Sequence, residues 1–210
     1  MGRKSLIIWG ASGHALAISS YLKQNDCHLE AMIDENSKIK DFNGVSVFNS
    51  LADLKKIYKN LNHYYFLIAI GGDKGHERIR IHKLLIKEKM TPYIFVHPYS
   101  WVDSSANLED GVQIMGMAAV SAYASIGKQT IINTNATVDH ETEIGDGSHI
   151  MPSAAVAGCC QIGNNCTIGS NATILPRIKI VDDVYIGAGA VVLEDILEPG
   201  KYVGVPAKRL

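Results

Sequence analysis

From Val102 onward an aliphatic residue returns at every sixth position: Leu108, Ile114, Val120, Ile126, Ile132, Val138, Ile144, Ile150, Val156, Ile162, Ile168, Ile174, Ile180, Ile186 and Val192. All sixteen steps are Val, Ile or Leu, which supply about a quarter of this segment, so chance agreement is on the order of one in a billion. Four residues after most of them the chain is small: Ala106, Ala118, Ala124, Thr130, Ala136, Thr142, Ser148, Ala154, Cys160, Cys166 and Ala172. An aliphatic and a small partner at a fixed period predict a parallel β-helix. Each rung is a short strand and a turn, and the stacked rungs bury one continuous aliphatic column. Cys160 and Cys166 fall on the small inward positions and read as core.

The segment resembles the left-handed β-helix of hexapeptide-repeat acyltransferases. That resemblance implies three rungs to a coil, about 18 residues per turn and roughly five coils. The tail from Tyr202 to Leu210 leaves the period and is similar to the family's closing segment.

The first half has another rhythm. Ser5–Trp9 reads as an apolar strand, and Gly10-Ala-Ser-Gly13 as a tight turn into a helix over His14–Lys23. Leu29–Ile33 predicts a second strand ending at Asp34-Glu35, and Leu51–Asn60 has helical spacing. Tyr64–Ile70 reads as a buried strand ending in Gly71-Gly72, followed by a helix over Gly75–Lys89. Alternating β and α elements imply a parallel sheet, hence an α/β, Rossmann-like domain. Ligands of such sheets sit beyond the carboxyl ends of the strands. Ser12, Gly13, His14, Asp34, Glu35 and Gly71 all fall there. The two domains are expected at 1–98 and 99–210, since Pro98 biases His97 towards an extended turn.

Charge divides along the same line. Residues 1–100 hold 14 Lys+Arg, 9 Asp+Glu and 11 of the 15 aromatics, a charge of +5. Residues 101–210 hold 6 Lys+Arg, 12 Asp+Glu and 12 of the 19 glycines, a charge of −6. The whole chain, 210 residues at −1, shows neither the basic excess of a nucleic-acid binder nor a disordered acidic tail. No apolar run approaches the ~20 residues that span a bilayer, and Met1–Leu22 lacks signal-peptide order. The four cysteines form no CxxC pair and no disulfide framework. A cytoplasmic protein without nucleic acid or membrane insertion is expected. The Gly10–Gly13 turn is GxxG, short of the full dinucleotide fingerprint, so an ordinary tight turn and a phosphate cradle both stay open. Asp34, the +5 charge and free N–H groups at a helix start favour a phosphorylated ligand over a redox dinucleotide.

Histidine occurs only twice inside the repeat, at His140 and His149. His140 takes a rung position where other rungs carry Ala122, Gly116 or Gly158. Its neighbours one coil away, Ala122 and Gly158, are short and leave room for a ligand. An exposed histidine on a repeat surface usually does nothing, but Asp139 and Glu141 flank this one. A carboxylate bonded to one imidazole nitrogen fixes the tautomer and raises the basicity of the other. Because strand neighbours point to opposite faces, Glu141 can help only if the rung bends there. His149 lies half a coil away, so a site using both histidines predicts a groove between subunits. Two histidines per chain do not complete the usual three-ligand catalytic zinc set, and no metal is expected.

Over nearly its whole length the chain is similar to the bacterial sugar acetyltransferases that join a Rossmann-like domain to a left-handed β-helix. This is the family of the bacillosamine-pathway UDP-amino-sugar N-acetyltransferase, GDP-perosamine N-acetyltransferase and the sialic acid O-acetyltransferases. Gly10-Ala-Ser-Gly-His14, Asp34, Ile68-Ala-Ile-Gly71, Asn133, His140-Glu141, His149, Gly158 and Val203-Gly-Val-Pro-Ala-Lys208 carry the likeness. The resemblance implies that His140 is the general base and Glu141 its support. It implies that Gly158 N–H stabilises the oxyanion and that His149 contacts acetyl-CoA from the adjoining subunit of a homotrimer. Ser170 and Ala188 would line the acetyl-CoA groove, Ala188 in place of an expected glycine. Ser12, Gly13 and His14 would contact a nucleotide-sugar, Asp34 and Glu35 its base or ribose, and Gly71 its phosphates or sugar. Asn133 would position the sugar near His140. Direct transfer needs no cysteine nucleophile, so Cys159 and Cys160 are expected to be core or bystander residues.

The first expectation is acetyl-CoA-dependent N-acetylation of a UDP- or GDP-linked amino sugar for glycan or lipopolysaccharide assembly. An O-acetyltransferase acting on a sialic-acid-like sugar would share His140 and the acetyl-CoA site. A non-catalytic scaffold with a binding module would keep the aliphatic ladder but has no need of His140-Glu141 beside a small-residue gap.

Overall fold

The computed structural model describes residues 3–36 and 38–210. It divides into two compact units, one of residues 1–70 and 80–93, the other of residues 71–79 and 94–210.

In the first unit the strands β1 (Lys4–Trp9), β2 (Cys27–Ile33), β3 (Asp41–Phe42), β4 (Val45–Phe48), β5 (Tyr65–Ile68) and β6 (Thr91–Pro92) form one sheet ordered β3-β4-β2-β1-β5-β6. All its pairs are parallel except the β3–β4 hairpin. Without β3, that order is the 3-2-1-4-5 of a Rossmann half, which reverses direction between β1 and β5. Helices α1 (Gly13–Ser19), α2 (Leu51–Ile57) and α3 (Gly75–Lys87) make the crossovers. The apolar faces of β1, β2 and β5 bury Ile7, Trp9, Ala31, Ile33, Phe66 and Ile68 against Leu54, Ile81 and Leu85. The sequence-predicted first helix stops early: α1 ends at Ser19, where Ser19 and Ser20 hydroxyls turn back onto Leu16 O, and a short tighter helix covers Leu22–Asn25. Gly10 has φ +107, and a Cβ there would lie 2.6 Å from Ala69 O, so only glycine passes between β1 and β5.

In the second unit two-residue strands recur every six residues from Phe95–Val96 onward, and each pairs in parallel with the strand 18 residues away. Three sheets result, forming the faces of a left-handed parallel β-helix. The coil starts one rung before Val102, the first aliphatic step read from the sequence, because Phe95–Val96 pairs with Gln113–Ile114. Inside lies a continuous column of buried Val and Ile, with Ala118, Ala136, Ala154, Cys160, Cys166 and Ala172 filling the corners. Where the corner residue is a hydroxyl it joins coils: Thr130 Oγ1 donates to Gly145 O and accepts from Ser148 N, and Ser148 Oγ donates to Gly163 O and accepts from Cys166 N. Buried polar atoms are thereby satisfied without interrupting the column.

Between Met117 and Asp183 every turn ends on a residue with left-handed φ, Glu141 and Cys159 among them. Such φ values are costly for most side chains. They persist because the turn N–H then bonds to the coil before it, as Glu141 N does to Ala122 O and Cys159 N to His140 O. Arg78 is fully buried in this unit and donates to Gln129 O, Gly147 O and Ser148 O. Burial lowers its pKa to about 10, which leaves it cationic at neutral pH. No helix among the described residues is long and apolar enough to cross a membrane.

Ile150 has no exposure and sits mid-column between Ile132 and Ile168. Ile150→Ala should cost about 2–5 kcal/mol, through lost burial plus the cavity left behind. Urea unfolding should show this as a lower midpoint at unchanged slope. A midpoint equal to that of the parent would show that the column collapses to fill the gap.

Candidate active site

His140 and Glu141 occupy the turn between the strands Thr137–Val138 and Glu143–Ile144. The bend that Glu141 needs is present, because its φ of +55 takes it out of strand geometry. Glu141 Oε2 lies 3.3 Å from His140 Nδ1. An ionised carboxylate only accepts, so Nδ1 carries the proton and Nε2 presents its lone pair. Asp139 accepts from the His140 backbone N–H at 2.7 Å and fixes the turn. His140 is 54% exposed, open to a reactant.

Gly158 lies one coil above. A Cβ at this glycine would be 2.7 Å from His140 Nε2 and 2.9 Å from Cε1, so the ring rests directly on the glycine. Gly158 is buried, its carbonyl accepts from Arg177 N, and its N–H donates no hydrogen bond among the described residues. Beside this turn runs an open groove of 330 Å³ lined by small residues such as Ala119, Ser121, Ala155 and Ala157 and by the larger Ile174 and Leu175. A ring nitrogen that no described donor occupies, a buried N–H without a partner one coil away and an adjoining groove together suit acyl transfer to a neutral nucleophile.

Within the second unit, the other expected residues lie away from this turn. His149 is on the sheet opposite this turn, paired with Ile131 and Thr167. It is 2% exposed, with Nδ1 3.0 Å from Gly72 O and Nε2 2.9 Å from the Asn133 amide nitrogen. The carbonyl takes the Nδ1 proton and the amide donates to Nε2, so both nitrogens are engaged within the chain. The resemblance implies a contact of His149 with acetyl-CoA from the adjoining subunit, and within this chain its ring nitrogens face Gly72 and Asn133. Asn133 is likewise engaged at both ends, its Oδ1 accepting from Thr134 N at 2.7 Å. Ser170 and Ala188 stack on a different corner of the prism from His140, joined by Gly189 N donating to Ser170 O.

In the first unit Ser12 and Gly13 are exposed, and the Ser12 side chain makes no capping bond to α1. His14 is half-buried and Glu35 exposed. Asp34 braces the turns around it: Oδ2 accepts from Ala11 N at 2.8 Å and Oδ1 from Asn36 N at 3.0 Å. Its carboxylate thus sets the backbone of the Gly10–Gly13 turn. Gly71 follows β5 in the chain and opens the 71–79 segment of the second unit.

Cys159, expected with Cys160 to be a core or bystander residue, is half-buried beside this turn. Cys160 is core, whereas Cys159 has its Sγ 3.5 Å from Glu141 Oε2. Burial and the neighbouring Glu141 carboxylate push its thiol pKa up. The 18-residue step that stacks Gly158 on His140 also stacks Cys159 on Glu141, a signal available in the sequence.

Comparison with known proteins adds similar sequences and structures. The model of the PglD N-terminal domain matches residues 5–83, that of the bacterial transferase hexapeptide (six repeats) residues 141–176, and that of the hexapeptide repeat of succinyl-transferase residues 161–194. A mutant of perosamine N-acetyltransferase from Caulobacter crescentus, solved with CoA and GDP-perosamine, is 28% identical with a TM-score of 0.91, covering 98% of this chain and 96% of that one. The acetyltransferase domain of PglB from Neisseria gonorrhoeae, in complex with acetyl coenzyme A, is 27% identical with a TM-score of 0.90 and full coverage of both chains (100% each). WeeI from Acinetobacter baumannii shares the fold at 24% identity and a TM-score of 0.88, covering 99% of this chain and 100% of that one. A PglD-type domain ahead of hexapeptide repeats gives the chain one architecture with these sugar acetyltransferases, to which it is similar over its whole length.

Proposed function

We propose that the protein transfers the acetyl group of acetyl-CoA to the amino group of a UDP- or GDP-linked amino sugar, with His140 as general base. The observation that carries this is the half-exposed His140 ring, backed by Glu141 at Nδ1 and seated with Nε2 against Gly158. The amine nitrogen attacks the thioester carbonyl and its proton passes to Nε2. The C–S bond breaks and CoA leaves as the thiol, with an amide as the other product. Gly158 N–H donates to the carbonyl oxygen as it becomes anionic, a contribution of about 3–4 kcal/mol for one well-placed donor. The groove beside Asp139 takes the thin pantetheine arm between alanines. In the Caulobacter relative, CoA and GDP-perosamine are bound together, the arrangement that direct attack requires.

The nucleotide part of the substrate occupies the carboxyl end of the parallel sheet, at Ser12, Gly13 and His14 with Asp34 and Glu35 alongside. Gly71 contributes to holding the sugar. Asn133 and His149 act by bracing the Gly71–Gly72 segment through the Gly72 carbonyl, while Ser170 and Ala188 lie along the acetyl-CoA path. A homotrimer lets a neighbouring subunit complete the groove, and the reaction belongs to cytoplasmic glycan or lipopolysaccharide precursor assembly.

Calorimetric titration with UDP, GDP and CMP, with and without CoA, tests the substrate class. UDP or GDP binding is expected, whereas a response to CoA and to no nucleotide would transfer the reading to O-acetylation of a free sugar. His140→Ala should lower kcat by about 10²- to 10⁴-fold at nearly constant KM, and near-normal turnover would remove the base from the mechanism. Gly158→Ala keeps the N–H but forces the imidazole off its seat. A displacement of about 1 Å should cost on the order of 100-fold in kcat, and an unmoved ring in its crystal structure would contradict the stacking argument.

A further inference from the structure

His140, Glu141 and Cys159 each bring one metal-binding atom to the same corner, and the three atoms lie within 4.8 Å of one another. Glu141 Oε2 stands between the others, 3.3 Å from His140 Nδ1 and 3.5 Å from Cys159 Sγ. Zinc bound tetrahedrally at about 2.0–2.1 Å to nitrogen, 2.0–2.2 Å to carboxylate oxygen and 2.3 Å to sulfur needs ligand–ligand edges of about 3.3–3.6 Å. Two edges are therefore already at the length that zinc requires. The backbone holds them there: Glu141 and Cys159 share left-handed turn geometry, φ +55 and +59, one coil apart. Cys159 N donates to His140 O at 2.9 Å and ties the two turns. Asp139 and Glu141 add negative charge around the thiol, against one opposing cation, Arg177.

We propose that His140, Glu141 and Cys159 form a three-ligand site for Zn²⁺ that switches the base off. Zinc takes Nδ1 of His140, one Glu141 oxygen and the Cys159 sulfur, whose proton leaves to solvent, and water fills the fourth position. With the metal on Nδ1, the single proton of the neutral imidazole resides on Nε2. The lone pair that would accept the proton of the amine is then gone. The ion is an inhibitor and takes no part in acetyl transfer. Binding stands on the geometry alone, while its effect on turnover rests on the acetyl-transfer reading above.

The test uses the full-length protein and Co²⁺, which reports a thiolate ligand by a sulfur-to-metal charge-transfer band. The wild type should show the band and lose it when Zn²⁺ is added. In a chelator-free assay Zn²⁺ should cut turnover at least about tenfold, with recovery on adding EDTA. Cys159→Ala should keep turnover within about twofold, show no band and need roughly 10- to 100-fold more Zn²⁺ for half inhibition. No cobalt–thiolate band on the wild type, or equal inhibition of wild type and variant, overturns the proposal. A band that Cys159→Ala abolishes, in a protein that acetylates no sugar, supports the cation site and defeats the functional reading instead.

Discussion

Parallel pairing at an 18-residue register is the constraint on which the second unit depends. It places each aliphatic residue over the next and leaves no inward position for a charge. Hydrogen bonds alone would tolerate a slip of the ladder. The inward column would not, because a one-residue shift turns every aliphatic side chain outward. With the register fixed, the outward positions are fixed too. Residues that are remote in sequence become vertical neighbours: Gly158 on His140, Cys159 on Glu141, Asn164 on Asp146.

The corners are where this rigidity becomes chemistry. A strand of two residues offers little surface, whereas each turn projects its third and fourth residues from the prism. The left-handed φ of Glu141 swings its carboxylate back alongside the preceding histidine, which a straight strand would prevent. The same backbone state one coil higher aims Cys159 at that carboxylate. A corner with a larger residue in place of Gly158 would close over the imidazole. The site therefore needs both a histidine where other rungs keep small residues and a glycine above it.

Much of this was legible because a repeat turns sequence spacing directly into distance. The aliphatic step, the small corners with Cys160 and Cys166, and the Ala122–His140–Gly158 stack are all readable from the period. The first unit was legible in its longer strands, whose apolar runs exceed what short surface elements show. The β3–β4 hairpin escaped because its strands are only two and four residues long, with Asn43-Gly44 as the local turn signal. Buried Arg78 escaped for another reason: its partners are backbone carbonyls at 129, 147 and 148, and no side-chain pattern records a carbonyl. His149 was seen as a candidate but not as buried, since its outward position is covered by Gly72 and Asn133, two residues the repeat does not predict.

The two histidines differ in what surrounds their ring nitrogens. Both have Nδ1 against an oxygen, Glu141 for one and Gly72 for the other, so both carry the proton there. They differ at Nε2. At His149 an amide donor already occupies the lone pair, and a further proton could be accepted only by turning that amide away. At His140 no donor among the described residues bonds Nε2, which lies against Gly158. What separates the two rings is thus the donor in front of Nε2 and not the oxygen behind Nδ1. On this prism the donor is absent where the coil above supplies glycine.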